Sequence, residues 1–176
     1  MNFHYRTSGF VFKKEARGES DRIFSIFTKD FGRIGIFGKA IRKVNSKLRS
    51  NIEIFSFSEI GFIQGKNKKT LTDAVLIDKF KNLENVPEKM EIAYKISDVL
   101  DNFIKGEESD NNIYDLLNYT FDKLNNIKSI NIQELIYPYF LWNFIFAIGY
   151  GPELSKCSVC GKELDPNNLY FSNKEG

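Results

Sequence analysis

Histidine is nearly missing from this chain. Its 176 residues hold one, His4, together with one tryptophan, two methionines, two cysteines and four prolines. A single histidine leaves no Ser/His/Asp or Cys/His set for nucleophilic catalysis and no histidine-bearing metal cluster. The two cysteines, Cys157 and Cys160, stand three apart, too close for the disulfide framework of a small secreted protein. No clustered carboxylates present themselves for metal-assisted hydrolysis, so a nuclease or nucleotide-dependent enzyme is not expected. Residues 1–20 are polar and charged and carry no continuous apolar run. No signal peptide is therefore expected, and the expected location is cytoplasmic. Leu135 to Pro152 lacks formal charge and approaches the lower length limit of a membrane span. Pro138, Asn143, Gly149 and Gly151 interrupt it, however, so it reads as a buried helix and no membrane partner is expected.

Acid is the other local absence. Residues 31–52 contain no Asp or Glu and six bases: Arg33, Lys39, Arg42, Lys43, Lys47 and Arg49. Residues 1–80 hold 16 Lys+Arg against 8 Asp+Glu, a net of +8, whereas residues 81–176 hold 9 against 15, a net of −6. The overall +2 hides a basic front half and an acidic rear half. A basic run set among strand-like segments points to a polyanion surface, and nucleic acid is the usual polyanion. The six cations are the candidate DNA-binding residues, each able to release counterions from phosphate. Phe31 and Phe37 are the aromatics nearest to them, although most aromatics of a β-rich half belong to its core.

What the chain has in plenty is apolar material, 42% of all residues, with 17 Phe and 8 Tyr. Up to about residue 80 its spacing is that of strands. Phe10 to Phe12 lies in a first. Ile23 to Phe27 forms a second, which turns at Asp30-Phe31-Gly32 into a third over Arg33–Gly38. A long alternating run covers Ile52–Ile63, Gly65 to Lys69 makes a polar hairpin tip, and Thr70–Ile77 closes the set. Five β-rich runs joined by short turns and one longer basic connection suit a small barrel. Beyond residue 80 the period becomes helical. Pro87 opens a first helix with Glu88 and Glu91 near its positive end. Asp110 is placed to cap a second helix carrying Ile113, Leu117 and Phe121. Asn131 is placed to cap a third, running through Ile136 and Phe140 to Gly149 or Gly151. The expected fold class is α+β: an OB-fold-like barrel over 1–80, then a helical domain over 81–176 with a joint near 79–87.

Two short strings are coincidental. Gly61-Phe62-Ile63-Gln64-Gly65-Lys66-Asn67 has three residues between its glycines where a P-loop has four, and no Ser/Thr follows the lysine. Asp30-Phe31-Gly32 spells a kinase motif without a kinase-sized domain around it. Cys157-Ser158-Val159-Cys160-Gly161 is different: C-x2-C-G is the usual half of a structural zinc ribbon. Zinc takes four ligands, so the pair reads as half a metal site needing ligands from beyond residue 176, or as two free thiols, with redox chemistry a more distant third.

Several of these strings, in order, resemble the RecO family of bacterial recombination mediators. They are Gly9-Phe10-Val11-Phe12, Gly18-Glu19-Ser20-Asp21-Arg22, Phe27-Thr28-Lys29-Asp30-Phe31-Gly32, Gly38-Lys39-Ala40-Ile41-Arg42-Lys43 and Ser46-Lys47-Leu48-Arg49. After the helices come Gly149-Tyr150-Gly151-Pro152-Glu153-Leu154 and the cysteine pair. The resemblance implies an N-terminal OB fold followed by a helical domain. It also implies binding of single- and double-stranded DNA, strand annealing, contacts with RecR and single-stranded-DNA-binding protein, and help in loading RecA. It places Lys39, Arg42 and Lys43 in the family's basic segment and the chain in the bacterial cytoplasm, associated with the nucleoid. Many members carry a second C-x2-C and a helical tail, so this chain reads as C-terminally truncated. A rival reading is a protein-interaction adaptor whose helical half docks an acidic partner tail, its basic loop being incidental.

Overall fold

Alternation decides the first half. The structure, a computed structural model, describes residues 3–129, 133–166 and 170. Five strands, β1 (Phe3–Arg17), β2 (Asp21–Thr28), β3 (Gly32–Gly38), β4 (Ser56–Gln64) and β5 (Lys69–Asp78), close into a barrel in the order β1-β2-β3-β5-β4. Closure leaves no strand without a neighbour on either side. All pairs are antiparallel except β3 with β5, which meet at Ile36–Lys69 and Phe37–Thr70. β1 is much longer than its Phe10–Phe12 nucleus because it serves two neighbours. Its Phe3–Val11 part pairs with β4 and its Gly9–Arg17 part with β2, and a bulge between Val11 and Lys13 bends it.

Both faces of β1 are buried around the bend. Val11 points into the barrel with Phe24, Ile26, Ile36, Ile60 and Phe62. Phe10 and Phe12 belong to a second cluster outside it, with Phe27, Phe55, Phe57 and Phe80 of the barrel half and the inner stripes of the helices. The helices are α1 (Pro87–Phe103), α2 (Asn111–Asn126) and α3 (Ile136–Ala147). Phe121 of α2 is the hub of the second cluster: its ring centroid lies 4.3 Å from Phe10, 5.7 Å from Phe80 and 5.9 Å from Phe55. The molecule thus has two cores, one inside the barrel and one between the barrel and the helices.

Helix termini follow the sequence signals. Pro87 occupies the first turn of α1, where its missing N–H costs nothing. Asp110 caps α2, its Oδ1 accepting from the N–H groups of Asn112 (2.8 Å) and Ile113 (3.2 Å). Lys89, buried on α1, closes the other end of α2 by donating to the carbonyls of Asn125 and Ile127 at 3.0 and 2.7 Å; burial pushes its pKa down. α3 ends in a Schellman motif: Gly149 (φ +82°) donates to Phe146 and Tyr150 to Ile145. The proposed cap Asn131 lies outside the described residues.

Two expectations need correction. The alternating run from Ile52 starts as a strand only at Ser56, because Phe55 has a positive φ of 59° and Ile54–Phe55 forms a turn. The apolar stretch Leu135–Pro152 does give a helix, but not one buried all round. Ile136, Phe140 and Phe144 face the core, while Tyr139, Trp142 and Phe146 are exposed. Among the described residues no helix is long and apolar enough to cross a membrane.

Candidate nucleic-acid interface

The basic run falls mainly on the one long connection of the barrel, residues 39–55 between β3 and β4. Three apolar side chains fix this connection. Ile41 and Ile52 are fully buried in the barrel cluster and Leu48 packs against it. The basic residues beside and between these anchors face outward: Lys39, Arg42, Lys43, Lys47 and Arg49 are all exposed. A spacing of hydrophobic anchors about every seven or four residues therefore turns a charge run into a charged surface.

Backbone contacts set the position of the first part. Ala40 N–H donates to Asp21 Oδ1 at 2.7 Å, Arg42 N–H to Ser20 O at 2.9 Å, and Arg42 Nη1 to Gly18 O at 3.3 Å. The turn bearing Lys39, Arg42 and Lys43 is thus docked on the β1–β2 loop. Among the described residues none of Lys39, Arg42, Lys43, Lys47 and Arg49 is in an ion pair, whereas Arg6, Lys13, Lys14, Arg22 and Lys69 of the same barrel all are. Lys47 and Arg49 lie further along, and Arg49 lines a separate groove with Val44, Ser50, Lys79 and the acids Glu53 and Glu84.

Arg33 stands apart from the others. It lies on β3 facing the helices, and its guanidinium donates to the Asp101 carboxylate, to Asp101 O at 2.9 Å and to Ile104 O at 2.6 Å. It also lies 5.3 Å from the Phe12 ring centroid. These bonds satisfy the last carbonyls of α1 with a cation, as a helix C-terminus favours. Lys13 Nζ reaches the same carboxylate at 2.8 Å. The Lys13 hydrogen bond, and after it that of Arg33, hold the Asp101 carboxyl below its ordinary value; burial opposes them. Lys13 is raised in turn, first by Asp101 and then by Glu15. Lys69–Glu107 (2.5 Å) and Tyr114 Oη–Ser8 Oγ (2.8 Å) complete the polar seam between barrel and helices.

Sequence reasoning passed over a second basic feature. Arg17, Ile23, Gly35, Phe37, Lys68 and Lys69 line a groove of about 310 Å³ on the outer face of β2, β3 and β5. Lys68 Nζ sits 3.8 Å from the centroid of the half-buried Phe37 ring. The signal was in view: the hairpin tip Gly65–Lys69 holds three lysines. Nothing local, however, tells which strand face a loop leans over. Phe31, the other aromatic singled out, packs edge-on against Tyr5 and Phe62 at the end of the barrel core.

The cysteine turn is closed by backbone hydrogen bonds. Cys157 N–H donates to Lys162 O, Gly161 N–H to Cys157 O, both at 2.8 Å, and Lys156 bridges Glu163. The backbone N–H of Cys160, then that of Val159, then the Cys160 thiol, point at Cys157 Sγ and lower its pKa, which favours the thiolate a metal binds. Two thiols are half of the donors zinc requires, and no group of three or more His, Cys, Asp or Glu gathers among the described residues. The described residues do not complete a zinc site.

A last groove lies between α2 and α3, about 230 Å³ and lined by Tyr119, Thr120, Lys123, Ile127, Leu135 and Tyr139 among others. Thr120 Oγ1 is buried there without a hydrogen-bond partner.

The comparisons agree with this architecture. Residues 1–80 match the family model described as Recombination protein O N terminal, and residues 85–176 that described as Recombination protein O C terminal. The DNA repair protein RecO of Dehalococcoides mccartyi strain CBDB1 is 32% identical over 172 residues, covering 98% of this chain and 67% of that protein. That of Roseiflexus sp. strain RS-1 is 28% identical over 168 residues, 96% of this chain and 58% of that protein. That of Thermoanaerobacter sp. strain X514 is 27% identical over 172 residues, 97% and 67% respectively. The chain spans about two thirds of the length of most of these relatives.

Proposed function

The chain belongs to the RecO family of DNA repair proteins, and on that footing we propose that it is a non-catalytic mediator that binds single- and double-stranded DNA and promotes annealing of complementary strands. The observation that carries this is the docked turn: Lys39, Arg42 and Lys43 stand exposed and without carboxylate partners on a closed barrel of OB type. Such cations neutralise phosphate on two strands at once, so that complementary bases meet without nucleotide hydrolysis. RecR, single-stranded-DNA-binding protein and, indirectly, the RecA filament are the protein partners of this reading, and the bacterial cytoplasm its location. Zinc enters only with ligands from outside the described residues.

The test is the triple charge reversal Lys39→Glu, Arg42→Glu, Lys43→Glu in an anisotropy titration with labelled oligonucleotide at low salt. Affinity is expected to fall at least tenfold and annealing of complementary strands to slow with it. Unchanged affinity removes the site.

The α2–α3 groove favours a second activity alongside the first, the docking of an acidic, aromatic-bearing partner tail. Tyr119, Leu135 and Tyr139 offer an apolar trough, and Lys123, 5.2 Å from the Tyr119 ring centroid, supplies a cation. Parallel titrations with an acidic tail peptide and an oligonucleotide separate the two. Peptide binding is expected to weaken in Tyr139→Ala and to survive the triple charge reversal.

A further inference from the structure

The geometry points to a single-base subsite in the Phe37 groove, one that takes unpaired DNA and leaves duplex DNA to the docked basic turn. This rests on the DNA-binding reading above and adds to it which part of the surface distinguishes single strands.

Four observations converge there. The groove lies on the strand face flanked by the β1–β2 loop and the β4–β5 loop, where small closed barrels of this type receive oligonucleotides. Its floor is bare. Gly35, two residues before Phe37 and on the same face, has nothing within 4 Å of where a Cβ would stand. At about 310 Å³ the space is at the lower end of ligand-sized pockets, with room for one ring system beside Phe37. The lining carries Arg17, Lys68 and Lys69 and no carboxylate.

The fourth observation is Lys68 itself. Its ammonium covers the Phe37 ring in the absence of DNA. An exposed cation–π contact is weak, and base–aromatic stacking is sequence-tolerant and stronger. An entering base takes over the ring face and Lys68 swings to the adjoining phosphate. Lys69 stays with Glu107. Arg17, free of ion pairs among the described residues, meets the phosphate on the other side. The path then continues across the β1–β2 loop to Arg42, which holds Gly18 O. A duplex keeps its bases stacked and paired and cannot present one edge-free ring to the groove, so it gains nothing from Phe37.

The test uses the whole chain with a labelled oligothymidylate and a labelled blunt hairpin duplex. Phe37→Leu keeps apolar volume but removes the π face. It is expected to weaken oligothymidylate binding about tenfold, in line with the loss of one stacked base, and to leave duplex affinity within twofold. Phe37→Trp is expected to retain both affinities. Gly35→Leu, which fills the floor beside an unaltered Phe37, should reproduce the single-strand loss. A thermal unfolding midpoint shared with wild type shows that the variants are folded. If Phe37→Leu weakens both ligands equally, or neither, the subsite is refuted while the DNA-binding reading stands. If wild type binds neither oligonucleotide, the reading and the subsite fall together.

Discussion

Asp101 and Arg33 show how much one residue pair decides here. The sign of Arg33 and its place in a basic run are legible in the sequence, and they group it with the phosphate-facing cations. What the sequence does not show is a carboxylate 68 positions away, because such a partner is brought near only by the packing of α1 on the barrel. Replacing Arg33 by Ala leaves the end of α1 uncapped and Asp101 short of a partner. The expected loss is about 2–3 kcal/mol, read as a shift in the urea midpoint at unchanged slope. The pH dependence follows from the pKa directions. Asp101 is held below its ordinary value, so its contribution is present above about pH 4 and disappears as the pH falls through its folded pKa. Lys13 is raised, so its share is present up to the ordinary lysine value and disappears only as the pH rises through the folded one. The stability gap between wild type and Asp101→Asn should therefore shrink from pH 7 to pH 3; a constant gap contradicts the assignment. Gly32 is the other decisive residue. Its φ is +58° and a Cβ would run into the backbone of Glu108, so Gly32→Ala both strains the turn and pushes the helical half away from the barrel.

At the scale of elements, the legible parts were those whose signal is local. Strand alternation, the Asp110 cap and Gly149 at the end of α3 each depend on neighbours within a turn or two. The illegible parts were set by distant packing. β1 extends over 15 residues because two partners lie along it, and Ile52–Phe55 is diverted from the strand to bury Ile52 in one core and Phe55 in the other. The 39–55 connection combines both kinds. Its charge was evident from the sequence, but the role of Ile41 and Ile52 as anchors appears only when the barrel closes under them. Ile41→Ala is expected to cost about 2–4 kcal/mol and to loosen the docked turn. Its weakening of DNA binding should come with a lowered unfolding midpoint, while that of the triple charge reversal should not. Asp110→Ala, by contrast, should cost only about 1 kcal/mol and leave DNA affinity alone, since it touches α2 and no cation.

The whole molecule is two cores sharing one wall of aromatic strands. The barrel half carries the excess of cations and the helical half the excess of acids, and part of that opposition is used up at the seam in Lys13–Asp101, Arg33–Asp101 and Lys69–Glu107. Of what is left over on the barrel, Lys39, Arg42 and Lys43 stand on the docked turn and Arg17 and Lys68 line the Phe37 groove. Phe121 holds the arrangement together, and Phe121→Ala is expected to cost about 3–5 kcal/mol, unfolding both halves in one transition if they share a cooperative core. DNA binding by this barrel requires that the unpaired cations of the docked turn meet phosphate. The direct measurement is the salt dependence of oligonucleotide affinity for wild type and for Lys39→Ala, Arg42→Ala, Lys43→Ala together. Each contact to a single strand contributes about 0.7 to the log–log slope, so the triple variant should show a slope shallower by about two. Identical slopes for the two proteins would contradict it.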